Sequence, residues 1–440
     1  GPVRGKVVRF RATTTEDLAK YKGKITGAIL LSGEPRDLTL STKPLAERYD
    51  EKTLADLSEY EIPGRVNPAS AAFLNVTPEE RRRRTQFARD LAKFFEDEKP
   101  AVILEASRAP GEGGTIFVQG NGQAFRKDAP IGAPNLVMDP EQWGRIARML
   151  EKKIDVELEV NVKTNFYEDD LFGYNTVAEI PGTDPALKDQ VVMVGGHLDS
   201  WHGGTGATDN AAGSAVAMEA VRIIKALGLK PRRTIRIALW SGEEQGLFGS
   251  RGYVAEHFGG RPEITDPAIL AMPANQRPPA GPISLKPEQE KVSAYFNVDN
   301  GSGRIRGIYM QENAAVAPIF KQWIEPFNDL GMATMTMRNT GGTDHLSFDA
   351  VGIPGFQFIQ DELEYDTRTH HSNMDVYERL QKEDLMQAAA IEASFVYMAA
   401  MRDDMFPRKP LPADTIKAQA LMPEANKGDK AQPKKDEKKK

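Results

Sequence analysis

The chain contains no cysteine. Disulfide frameworks, thiolate zinc sites and cysteine nucleophiles are all excluded, so any metal must sit on His, Asp or Glu. Histidine is scarce, with six in 440 residues: His197, His202, His257, His345, His370 and His371. No apolar run approaches the ~20 residues needed to span a bilayer. Basic surplus is missing too. The formal net charge is −6, whereas nucleic-acid binders usually carry a basic face. No charged-then-apolar leader is read at Gly1-Pro2. A processed, trimmed or recombinant start would give the same beginning, so export is not readable there.

What is present suits a large enzyme or binding protein. A chain of 440 residues, 40% hydrophobic and 27% charged, can bury a sizeable core and suggests two domains. Short apolar runs at Ile29–Leu31, Ala101–Leu104 and Thr115–Val118 read as strands. Thr77-Pro78-Glu79-Glu80 reads as a helix start, running to about Phe95, and Asp139-Pro140-Glu141 as another. An alternating stretch follows at Val156–Val162. Further on, Val191–Val194, Ile235–Trp240, Val292–Val298 and Pro354–Ile359 read as core strands. Helices are expected at Ala211–Leu227, Gly246–His257, Ala314–Leu330 and Lys382–Met401. Strands alternating with helices predict an α/β fold: a mixed, mainly parallel sheet sandwiched by helices, with a smaller α/β domain before it. Arg261–Glu290 is proline-rich and reads as a long surface loop. After Pro410 the chain turns polar and lysine-rich, as a disordered tail does.

The chemistry-bearing residues fall at predicted strand ends. Gly195-Gly196-His197-Leu198-Asp199 follows one strand directly, which puts Asp199 on the same side as His197. A ligand imidazole needs such a carboxylate to fix its tautomer, although a local hydrogen bond would satisfy a strand-end histidine equally well. Asp209 comes after a glycine-rich loop and just ahead of a helix. It reads as an N-cap or as a carboxylate with one oxygen for each of two metal ions. Glu243-Glu244 follows an apolar strand, where paired carboxylates repel unless one meets a cation or a proton. One glutamate can bind metal while the other is general base; the alternative is a solvated acidic turn, but the apolar strand before it argues against much exposure. Asp299 ends another strand, where an Asx turn is the simple alternative. Gly341-Gly342-Thr343-Asp344-His345 and Thr369-His370-His371-Ser372-Asn373-Met374-Asp375 bring the remaining histidines. Adjacent rings in extended chain point apart, so one of His370 and His371 can bind metal while the other faces elsewhere. Taken together, His197, Asp209, Glu244, Asp299 and His371 are candidate ligands near the ends of parallel strands, where such sheets bind ligands. Two imidazoles and three carboxylates suit a pair of zinc ions sharing one carboxylate.

With these motifs the chain resembles the zinc exopeptidases of the carboxypeptidase Q type and related bacterial aminopeptidases. The resemblance runs from about Tyr174 to Met401. It is carried by Val194-Gly195-Gly196-His197-Leu198-Asp199-Ser200-Trp201, Asp209, Glu243-Glu244-Gln245-Gly246 and His370-His371-Ser372. It implies two Zn2+ held by His197, Asp209, Glu244, Asp299 and His371, with Asp209 bridging and the Asp209-Asn210 peptide cis. Asp199 would orient His197 and Glu243 would be the base. We expect His370 to stabilise the oxyanion, with His345 as second choice. The implied reaction is hydrolysis of terminal peptide bonds in peptides or dipeptides, from either end. Residues 1–163 resemble a protease-associated domain, 164–405 would be the catalytic domain and 406–440 the tail. A helical segment that precedes such an insert in the family is not found. Secretion or a periplasmic location, and a homodimer, are implied by the resemblance alone; no nucleic acid or membrane span is expected. Two departures are His202, where relatives tend to have an acid, and Asn210, where many have a second aspartate. A single-zinc, glutaminyl-cyclase-like enzyme would hold one metal, and a non-catalytic peptidase-like module would lack the paired glutamates.

Overall fold

Two sheets organise the chain, and the computed structural model describes residues 2–35, 42–59, 78–108, 114–118, 132–266, 269 and 278–416. The first sheet contains β1 (Val3–Phe10), β2 (Ile29–Ser32), β3 (Val102–Ala106), β4 (Asn135–Met138) and β5 (Glu157–Val160) in the order β4-β3-β2-β1-β5. β1 to β4 run parallel, and β5 closes one edge antiparallel. The continuous apolar run of β2 reflects burial on both faces. Ile29 and Leu31 pack in one cluster with Trp143, and Leu30 packs in another with Phe10. Trp143 comes from the helix Pro140–Glu151, whose Asp139 cap accepts from the Glu141 and Gln142 amides. On the opposite face the helix Pro78–Glu98 brings Phe94 and Phe95. Its expected cap, Thr77, lies outside the described residues.

The second sheet has seven strands: β6 (Thr176–Ile180), β7 (Val191–His197), β8 (Thr234–Trp240), β11 (Val292–Asn297), β12 (Ile305–Tyr309), β13 (Thr334–Thr336) and β14 (Gly355–Gln360). Their order is β13-β12-β14-β11-β7-β8-β6. The four runs expected as core strands are the contiguous centre, β14-β11-β7-β8, and all three of these pairings are parallel. The sheet is mixed because β6 and β12 pair antiparallel. β6, β12 and β13 carry no apolar run in sequence; β6 is almost wholly exposed, and Arg306 and Gly307 interrupt β12.

Helices Ala212–Ala226 and Lys382–Met401 pack together over one face. They bury Val216, Ala220, Ile224, Phe395 and Val396 against Val194 and Phe296. On the other face, Val254 of helix Phe248–His257 and Phe348 of helix His345–Asp349 join Trp240 and Tyr295. The helix expected over Ala314–Leu330 is broken into a 3-10 turn, an α-helix at Ala317–Ile324 and a second 3-10 turn at Glu325–Leu330. Pro326 lacks the N–H that an unbroken α ladder would need.

Three other expectations change. Thr115–Val118 is not a strand of the first sheet; Phe117 bridges Ser372 instead, so its partner is distant in sequence. The expected loop at Arg261–Glu290 lies partly outside the described residues. Its described part includes β10 (Ser284–Leu285), paired with β9 (Gly259–Gly260), and a 3-10 turn beginning at Pro287. Residues 406–416, expected within the tail, are packed. Phe406 is buried among Phe296, Phe320, Trp323 and Phe356. Arg408 donates to the Gln289 and Val292 carbonyls. The remaining tail, 417–440, lies outside the described residues. Among the described residues, no helix is long and apolar enough to cross a membrane.

Candidate metal centre

The carboxyl ends of β7, β8, β11 and β14 converge, and each is followed by candidate residues. His197 is the last residue of β7 and is buried. Its Nδ1 donates to the Asp199 carbonyl at 2.9 Å. That bond assigns the Nδ1–H tautomer and turns the Nε2 lone pair toward Asp209 Oδ1 at 3.2 Å and Asp299 Oδ1 at 3.3 Å. A lone pair facing two carboxylates is repulsive unless a proton or a metal cation lies between them. Burial opposes charge on His197, yet Asp299 and Asp209 outweigh it and push its pKa well above the ordinary value.

The Asp199 carboxylate has a different task from the one expected. It lies 3.7 Å from His197 Nδ1, while accepting from the amides of Glu243 at 3.1 Å and Glu244 at 3.3 Å. Asp199 therefore orients the imidazole through its carbonyl and fixes the turn after β8 through its side chain.

Asp209 joins two groups of potential ligands. His197, Asp209 and Asp299 form one; Asp209, His370 and His371 form the other. Its Oδ1 faces His197, and its Oδ2 lies 3.2 Å from His371 Nε2 and 3.9 Å from His370 Nε2. Glu244 Oε2 is 2.9 Å from His371 Nε2. Asp209 Oδ2 and Glu244 Oε1 are buried without a hydrogen-bond partner among the described residues. Burial works against the Asp209 charge, but His197 and His371 hold its carboxyl below the usual carboxylate range. Burial likewise opposes charge on His371, which Asp209 and Glu244 nevertheless raise to about 10. Buried carboxylates with orphaned oxygens, facing imidazole nitrogens, fit hard-to-borderline divalent metal ions of the zinc kind.

Asp209 is not the helix cap. Asn210 takes that role, with Oδ1 accepting from the Gly213 amide at 2.9 Å while Nδ2 donates to the Val298 carbonyl at 2.9 Å. The neighbour thus frees the Asp209 carboxylate. The Asp209-Asn210 peptide is cis. Close packing needs the surrounding glycines: a Cβ on Gly213 would lie 2.0 Å from the Val298 carbonyl oxygen, and one on Gly195 1.9 Å from that of Ala238.

Glu243 is buried, with Oε2 4.0 Å from His197 Nε2. Burial first, and then the Asp299 charge, push its carboxyl up to about 9. The His370 ring packs tilted against Tyr365 at 4.7 Å and against His371 at 3.8 Å between ring centroids; burial and His371 lower its pKa. His345 stands apart. Its Nε2 meets Gln311 Nε2 and the Thr340 carbonyl, and burial lowers its pKa to about 4. His202 is exposed, and His257 pairs with Glu288 away from the cluster.

Comparison with known proteins gives the family. The model of Peptidase family M28 matches residues 175–396. The chain belongs to Peptidase family M28. Among curated relatives, this M28 chain is 31% identical to carboxypeptidase Q of Mus musculus over 62% of its own length and 50% of that protein. It is 32% identical to leupeptin-inactivating enzyme 1 of Streptomyces exfoliatus over 41% of its length and 34% of that protein. The chain thus spans about half the length, or less, of these relatives. A solved peptidase M28 precursor from Shewanella amazonensis SB2B shares the fold, with a TM-score of 0.57, 22% identity, and coverage of 93% of this chain and 76% of that one.

Two residues at this M28 centre escaped the sequence reading. Phe117, from the segment between β3 and β4 of the first sheet, sets its ring 5.8 Å from that of His371, and the sequence carries no signal for that contact. Asp375 was visible as the acid closing the His370-His371 motif, but nothing in the pattern said what it would hold.

Proposed function

We propose that this chain is a dinuclear zinc exopeptidase that hydrolyses terminal peptide bonds of peptides or dipeptides. The observation that carries the reading is Asp209, whose two buried oxygens face two different ligand groups. A single-metal cyclase would have no use for the second face.

In this reading His197 and Asp299 would hold one zinc and His371 and Glu244 the other, with Asp209 available to both. Zinc bound there would supply Lewis acidity, making water acidic near neutrality and polarising a carbonyl. Glu243 is the general base. A carboxyl held up near 9 by burial and Asp299 is already protonated at neutral pH and cannot take a proton, and the positive charge of zinc held by the adjoining ligands would bring it down into a useful range. Glu243 then accepts the proton of the attacking water and returns it to the leaving amine. His370, kept neutral by burial and His371, donates a hydrogen bond to the developing oxyanion.

The test is zinc content by elemental analysis, with turnover of a dipeptide and aminoacyl-anilide panel, for the native chain and Glu243→Gln. About two zinc per chain and chelator-sensitive turnover are expected. The variant should keep its zinc and lose on the order of 10²–10⁴-fold in kcat. One zinc without hydrolysis would favour the cyclase-like reading. Full activity in the variant would remove Glu243 as the base.

A further inference from the structure

Two segments distant in sequence supply the shared aspartate and the second histidine: the loop leading to Asp209 and the stretch Thr369–Asp375. We infer that Asp375 is the positioning residue that locks them together and so sets the geometry of the metal centre; this rests on the dinuclear reading above.

Asp375 is buried, and its side chain is spent entirely on the Asp209 loop. Oδ1 accepts the Thr208 amide at 2.6 Å and lies 2.8 Å from Thr208 Oγ1. Oδ2 accepts the Asp209 amide at 3.1 Å. The Thr208 hydroxyl also lies 2.9 Å from Thr369 Oγ1, so its one proton is shared between Thr369 and Asp375. The Asp375 carbonyl also accepts from the Thr205 amide at 2.8 Å and from Thr205 Oγ1 at 3.2 Å. A Cβ on Gly204 would lie 2.5 Å from that carbonyl, so the two backbones are as close as they can be.

These bonds fall on Thr205, Thr208 and the Asp209 amide, just before the Asp209 side chain. Bonds between ionised acceptors and amides are about twice as strong as neutral ones. An acid is needed because two converging amides and a hydroxyl are all donors. Asparagine would turn an NH2 toward one of these N–H groups. Asp375 thereby fixes which way each oxygen of Asp209 faces, without touching substrate or reacting atoms. Groups that orient metal ligands typically contribute about 10–100-fold to metal affinity or activity.

The experiment compares the full chain with Asp375→Asn and with Thr208→Val, which removes one donor and leaves the charge. Amide hydrogen exchange of the metal-free protein reads the lock. Zinc affinity against a chromophoric chelator reads its consequence. Expected for Asp375→Asn are lost protection at residues 205–209 and roughly 10–100-fold weaker zinc, with protection of β7 and β11 unchanged; Thr208→Val should weaken both less. Zinc affinity equal to the native chain's in both variants would overturn the inference, because the lock would then be merely structural. A native chain that takes up no zinc would instead overturn the dinuclear reading, and this inference with it. The native measurement alone distinguishes those two failures.

Discussion

Glu392 lies in the middle of the helix Lys382–Met401, flanked by the buried core residues Ile391 and Ala393. It is fully buried, and neither oxygen has a hydrogen-bond partner among the described residues. Burial alone pushes its carboxyl well above the ordinary value of 4.5. The folded chain therefore keeps this proton in a pH range where the unfolded chain releases it. An acid with a raised folded pKa favours folding less as pH rises above its unfolded value. While Glu392 alone keeps its proton on folding, each pH unit above 4.5 removes up to about 1.4 kcal/mol. Glu392→Gln should flatten this slope. Urea midpoints at pH 5 and pH 8 should converge in the variant relative to the native chain; an unchanged difference would mean that Glu392 does not titrate in this way.

At the scale of elements, the centre depends on how closely the helix Ala212–Ala226 approaches the ends of β7 and β11. Asn210 bridges helix and strand, and the Ser214 hydroxyl donates to the His197 carbonyl at 2.7 Å. Gly213 permits this approach, since a Cβ there would lie 2.0 Å from the Val298 carbonyl oxygen. Gly213→Ala should lift the helix start away from the strand, with a loss of about 1–3 kcal/mol typical of overpacking. Urea unfolding reads the loss, and weaker zinc retention should accompany it. The central strands were legible because they are apolar on both faces. The edges β6, β12 and β13 were not, since their pairing comes from neighbours rather than from any apolar run of their own.

At the scale of the whole molecule, residues 42–59 form an arm across the second sheet. Glu47 pairs with Leu363, and the Arg338 guanidinium donates to the Asp56 carbonyl at 2.6 Å. Arg48 reaches Asp361 at 2.8 Å and Asp384 at 2.7 Å. Both aspartates are buried, and Arg306 and Arg304 hold their other sides. A second tie is made at the centre itself, where the Val118 amide donates to the His371 carbonyl at 2.8 Å and the Asn373 amide to that of Ile116 at 3.0 Å. Arg48→Ala should release the arm. Because Arg48 is about half exposed, the loss should be on the order of 1 kcal/mol, read as faster hydrogen exchange over 42–59 without change at β7.

The sequence by itself determined the α/β class, the four central strands and the grouping of acids and histidines at their ends. Apolar periodicity and strand-end position are local properties that the chain carries wherever it folds. Only the tertiary structure decided which group does what. Asn210 rather than Asp209 caps the helix, the Asp199 carbonyl rather than its carboxylate orients His197, and His345 turns to Gln311 and Thr340. Asp375 and Phe117 enter the centre through contacts with Thr208 and His371 that span more than 160 and 250 residues, respectively. Hydrogen-bond direction and ring placement depend on neighbours brought in from afar, and no local pattern records them.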